Sequence, residues 1–81
     1  MTIAEAKLEI ISIIKASTET ELELTPETNL ITEIGLSSVE VMLLLSDLDD
    51  RFGVHIPASR LREIHTVNDL CQTVIDLLMK P

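Results

Sequence analysis

Three times in this chain a Ser or Thr stands three residues ahead of an acid and at the head of an aliphatic run: Thr2 before Glu5, Ser37 before Glu40, Thr66 before Asp69. This is the capping-box pattern, in which the hydroxyl accepts the N–H of the third helical residue and the acid reaches back to the N–H of the cap. It marks three helix starts, and each is followed by apolar residues at helical spacing. Over residues 3–16 these are Ile3, Ala6, Ile10, Ile13 and Ile14, with Leu8 and Ile11 widening the stripe. From Ser38 to Arg51 or Phe52 they are Val41, Leu44, Leu45, Leu48 and Phe52, and Gly53 supplies the stop. From Thr66 to about Met79 they are Val67, Leu70, Cys71, Val74, Leu77 and Leu78, with Lys80 suited to the negative end of the helix.

The pieces between these helices are irregular. Residues 17–36 form a long connection that begins polar, Ser17-Thr18-Glu19-Thr20-Glu21. Leu22 and Leu24 alternate with acids, yet no second strand is available to pair with them, so they read as anchors pinning the loop to the core. Thr25-Pro26-Glu27 resembles the start of one helical turn. Leu30, Ile31 and Ile34 read as further anchors, and Gly35 gives the turn before the second helix. A loop of this length is unusual unless it has a function. Val54–Pro57 is extended, because proline disfavours helix in the residue before it. Residues 58–64 form a short further helix with Leu61 and Ile64 inward. The expected fold is all-α, a small four-helix bundle of three main helices plus a short third one, with the long loop between helices 1 and 2.

At 81 residues the chain makes one domain, residues 1–81, with a modest core built from an apolar fraction of 46%. Phe52 is the only aromatic residue. No apolar run reaches the roughly 18 residues of a membrane span. Met1-Thr2-Ile3-Ala4-Glu5 lacks the basic and apolar regions of a signal peptide, and the single cysteine makes no internal disulfide, so the expected location is cytoplasmic. The net charge of −8 is uneven: residues 1–50 carry eleven acids against two lysines, residues 51–81 four bases against three acids. Such a surface repels nucleic acid and anionic membranes and steers toward basic partners, or serves solubility alone.

Most chemistry is absent. Asp47-Leu48-Asp49-Asp50-Arg51-Phe52-Gly53 fails as a calcium loop, with Arg51 at the fifth position and Ala58 where the twelfth needs Glu. His55, His65 and Cys71 do not have zinc spacing, so no metal is expected. Cys71 lies on an apolar stripe and reads as a buried structural thiol. The residue that stands out is Ser38. With Ser37 as the cap, Ser38 falls at the first helical position, its hydroxyl free of capping duty and at the helix end that favours a phosphate. Taken alone, a serine pair at a helix start is more often only a cap and a turn.

The run Glu33-Ile34-Gly35-Leu36-Ser37-Ser38-Val39-Glu40 resembles the signature of acyl carrier proteins. The likeness extends along nearly the whole chain, through Arg51-Phe52-Gly53, the Ile56-Pro57 step and Thr66-Val67-Asn68-Asp69-Leu70. It implies that Ser38 carries a 4'-phosphopantetheine arm from coenzyme A, attached by a phosphopantetheinyl transferase, and that the arm holds acyl groups as thioesters. The chain would then be a carrier on which other enzymes act, not an enzyme. Glu40, Met42, Asp47, Asp49 and Asp50 would form the surface that meets basic patches on acyl-loading, ketosynthase or acyltransferase-type enzymes. Leu44, Leu45, Leu48, Phe52, Leu61, Ile64 and Leu70 would line or bound the acyl interior. The carrier is expected to be a monomer.

Three departures from the family pattern point to a specialised carrier of fatty-acid, polyketide or other lipid synthesis. Ser37 stands where the family usually has Asp; it keeps the cap and loses the charge. Leu43 stands at a common acid position, and Arg60 and Arg62 lie on the short helix where common carriers are acidic. An aminoacyl or peptidyl carrier, and a helical interaction module without a prosthetic group, are the alternatives.

Overall fold

The computed structural model describes residues 2–79. Three α-helices, α1 (Ile3–Thr18), α2 (Ser38–Phe52) and α3 (Val67–Met79), are joined by the long loop and by a 3-10 helix at Ala58–Glu63. Helix α1 packs against both α2 and α3. No strand forms among the described residues; a single bridge links Asn29 and Thr66. The all-α fold with three main helices and a short one follows the sequence reading. The expected role of Lys80 at the end of α3 lies outside the described residues.

All three helix starts are capped as the sequence predicts. Thr2 Oγ1 accepts from Glu5 N at 3.1 Å, Ser37 Oγ from Glu40 N at 3.2 Å, and Thr66 Oγ1 from Asp69 N at 3.1 Å. Glu5, Glu40 and Asp69 each return a carboxylate to the N–H of their cap. The Thr2 N–H holds the Glu5 carboxyl, and the His65 and Thr66 N–H groups hold the Asp69 carboxyl, below the usual pKa. Helix α1 runs two residues beyond its expected end. Thr18 Oγ1 bonds back to the Ile14 carbonyl at 2.7 Å, and Glu19 takes the left-handed cap position at φ 54° that glycine more often fills.

The core is aliphatic. Ile10 and Ile14 of α1, Leu44 and Leu48 of α2, and Leu70 and Val74 of α3 are fully enclosed. Some stripe residues face otherwise than the spacing predicts. Ile3 and Leu8 are exposed, so the buried face of α1 is narrower, built on Ala6, Ile10 and Ile14. On α3, Ile75 is buried and Leu78 is exposed. The 58–64 segment is 3-10 instead of α. The helix covers only the six residues Ala58–Glu63, is preceded by Pro57 with no side-chain cap, and closes through three-residue bonds such as Arg60 N to Pro57 O at 2.9 Å.

The long loop is tied down at its middle. Leu30 N donates to His65 O at 2.8 Å, Val67 N to Thr28 O at 3.0 Å, and Asn68 N to Pro26 O at 2.9 Å. Buried Thr28 accepts from Thr25 N at 2.9 Å, closing the Thr25-Pro26-Glu27 turn. Of the expected anchors, Leu30 is fully buried and Leu24 and Ile34 pack against the core. Leu22 and Ile31 are exposed and anchor nothing in the interior. The backbone lacing does their work, and Leu36, unmarked by any period, is the additional buried anchor.

Candidate functional site

The approach to α2 is built from small local devices. Asn29 Oδ1 accepts from Ile31 N and Thr32 N, both at 2.9 Å, turning the chain just after the lacing point. Leu36 N returns to Leu30 O at 3.0 Å. Gly35 makes this return possible at φ 85°, a conformation that costs a side-chain-bearing residue strain. Leu36 and Val41 are buried, two residues before and three after Ser38. Ser38 is therefore held from both sides while staying exposed itself.

The division of labour between the two serines is direct. Ser37, in extended conformation, makes both bonds of the cap with Glu40, and its carbonyl takes Val41 N at 3.0 Å. Ser38 is the first residue of the helix, and its hydroxyl is outside every bond of the cap. Its position is at the positive end of a helix of 15 residues. The N–H groups of a helix's first residues have no intrahelical acceptor, and here only that of Glu40 is met by the cap side chain.

Beside Ser38 runs a groove of about 350 Å³. Its walls come from three parts of the chain: Ile31 of the loop, Val41 of α2, and Leu61, Arg62, Ile64 and His65 at the end of the 3-10 helix. A smaller groove of about 160 Å³ adjoins it along α2, between Met42, Leu45 and Leu61. Of the residues expected to line an acyl interior, Leu61 and Ile64 reach the Ser38 groove and Leu45 the smaller one. Leu44, Leu48 and Leu70 are packed into the core, and Phe52 is half-buried at the far end of α2. Ile31, Arg62 and His65 were not expected at this site. Ile31 and His65 lie on irregular segments and Arg62 on a short 3-10 helix, none with a period long enough to give its direction, and the lacing of loop to α3 brings the loop to the other two.

The surface of α2 is less acidic than its sequence implies. Glu40 and Asp50 are exposed, and Asp47 is exposed while accepting from Ser17 Oγ at 3.0 Å. Asp49 corrects the expectation. It is half-buried, with Oδ1 accepting from Ile56 N at 3.0 Å, and serves to fasten the chain returning after Gly53. Between the acids an apolar strip is left open: Met42 is 51%, Leu43 63% and Val39 65% exposed. Cys71 is buried and burial pushes its thiol pKa up, the opposite of an activated nucleophile.

The chain matches known proteins over most of its length. The family model described as "Phosphopantetheine attachment site" matches residues 9–74. The acyl carrier protein of Syntrophobacter fumaroxidans is 32% identical over 71 residues, 86% of this chain and 88% of that protein. An acyl carrier protein of Helicobacter pylori is 31% identical over 55 residues, covering 68% of this chain and 70% of that one. In fold, the chain is similar to the solved structure of a candidate acyl carrier protein of Mycobacterium tuberculosis, with a TM-score of 0.82 at 24% identity over 88% of this chain and 96% of that one.

This chain belongs to the acyl carrier protein family. It is a carrier of acyl groups on covalently bound 4'-phosphopantetheine. The group supplies a flexible arm ending in a thiol that holds the acyl chain as a thioester. The donor chemistry here fits it: an exposed hydroxyl, helix N–H groups pointing outward, and an apolar groove alongside. The family interacts with phosphopantetheinyl transferase and with biosynthetic enzymes. No helix among the described residues is long and apolar enough to cross a membrane.

Proposed function

We propose that Ser38 is the attachment residue. The observation that carries this is the split at the α2 start: Ser37 and Glu40 complete the cap between themselves and leave the neighbouring hydroxyl exposed and unused. A phosphodiester formed there meets the helix dipole favourably, and the anchors Leu36 and Val41 hold its root in place. The groove of Ile31, Val41, Leu61 and Ile64 gives the first part of the arm an apolar bed.

In this reading residues 1–81 form one acyl-carrier domain that acts as a monomer in the cytoplasm and catalyses nothing itself. Partner enzymes of acyl-loading, ketosynthase or acyltransferase type meet it on α2. The docking surface is Met42 with Val39 and Leu43 at the centre and Glu40, Asp47 and Asp50 around them, which calls for a partner with an apolar patch inside a basic rim. Ser37 in place of Asp, and Leu43 in place of an acid, fit a specialised partner set in fatty-acid, polyketide or related lipid synthesis.

The test is intact-mass measurement after incubation with coenzyme A and a permissive transferase. The wild-type chain gains one phosphopantetheinyl mass, Ser37→Ala still gains it, and Ser38→Ala gains none. Labelling that persists in Ser38→Ala would sink the assignment.

A further inference from the structure

The groove beside Ser38 carries one feature that attachment of the arm does not by itself require. Two basic side chains, Arg62 and His65, stand on its wall opposite the α2 start, in a chain of net charge −8. They are not equivalent. His65 Nδ1 lies 3.9 Å from Asp69 Oδ2, and the same carboxylate oxygen takes the His65 and Thr66 N–H groups. A negative partner for the imidazole is already in place. The other arginine of the 3-10 helix, Arg60, has its Nε 3.6 Å from Glu63 Oε2 and is absent from the groove. Arg62 is exposed, and among the described residues no carboxylate lies within ion-pair distance of it. It brings a full positive charge to the groove, and nothing on that wall answers it.

A phosphate esterified to Ser38 would enter this groove within the first few bonds of the arm and would bring one negative charge. A guanidinium is suited to meet it, since its planar fork matches two phosphate oxygens at once and it stays charged at any relevant pH. The geometry points to Arg62 as a positioning residue that holds the phosphodiester of the Ser38-linked arm from across the groove and draws the first stretch of the arm over Ile31, Leu61 and Ile64. This rests on Ser38 being the attachment residue. It gives the Arg62 departure a task on the carrier itself, where a docking cation for an acidic partner would leave the arm untouched.

Holo protein made with coenzyme A and transferase, and confirmed by mass, tests this by phosphorus and nitrogen NMR. On going from apo to holo wild type, the Arg62 Nε–Hε signal shifts and that of Arg60 does not. In holo Arg62→Gln the 31P resonance is displaced from its wild-type position, in holo Arg60→Gln it is unchanged, and Arg62→Lys recovers part of the wild-type value. Raising the salt toward 1 M, where the Debye length is roughly 3 Å, abolishes the difference between wild type and Arg62→Gln. A holo protein whose 31P resonance ignores Arg62→Gln and whose Arg62 signal ignores loading overturns this inference and leaves the Ser38 assignment standing. Absence of the mass gain on Ser38 overturns both.

Discussion

The starts of α2 and α3 use the same local device to opposite ends. Each has a hydroxyl cap and an acid three residues on, with both reciprocal bonds made. At α3 the first helical residue is Val67, 1% exposed, whose N–H reaches Thr28 O in the loop. At α2 the first helical residue is Ser38, exposed, with no loop laid across it. The cap decides where a helix begins; what passes over the cap decides whether that beginning becomes core or working surface. One start closes the fold and the other presents a hydroxyl.

The comparison can be broken most severely at Leu30. This fully buried side chain sits where the loop is laced to the α3 start, and Leu30→Ala should lose about 2–5 kcal/mol of stability. With a single Phe and no Trp or Tyr, the measurement is urea unfolding followed by far-ultraviolet circular dichroism. A loss under about 1 kcal/mol would mean the lacing is peripheral to the fold. Ser37→Ala probes the α2 start and should lose about 1 kcal/mol, the usual worth of a cap, while mass gain on Ser38 persists. Ser38→Ala, by contrast, should unfold within about 0.5 kcal/mol of wild type.

Asp69→Asn probes the α3 start by pH. The backbone donors of His65 and Thr66 lower the Asp69 pKa in the folded state. A carboxyl so lowered stabilises the fold fully above its unfolded value, about 3.9, and this contribution fades as pH falls through the folded pKa. The stability difference between wild type and Asp69→Asn should therefore be largest near neutrality and shrink below about pH 4. A difference that does not change with acid would show that the hydrogen bonds work equally well without the charge.

What could be read from the sequence follows the range of the interactions. The caps at Thr2, Ser37 and Thr66 are settled within four residues, and all three form. The stripes of α1 and α3 are settled within one helix but aimed by its neighbours. That is why Leu8 and Leu78 face solvent and Ile75 does not. Asp49 was misplaced because its acceptor role depends on the chain coming back at Ile56, seven residues later. The groove was hidden furthest, since Ile31 meets Arg62 and His65 through bonds between segments more than thirty residues apart.

The lacing at residues 26–30 also changes what kind of loop this is. Nineteen residues lie between Thr18 and Ser38, but the knot at Thr28–Leu30 divides them into two short tethers. The first, from Glu19 to Leu24, absorbs whatever slack there is, since no bond of the knot falls within it. The second, Ile31 to Leu36, is closed by Leu36 N on Leu30 O and leaves no spare length. Since loop entropy grows only slowly with length, insertions in the first tether should be borne cheaply, whereas one residue added to the second would rotate the α2 start out of place. The start of α2 is thus tied through the loop to α3, the helix that follows it in the chain, while the body of α2 packs on α1, the helix that precedes it.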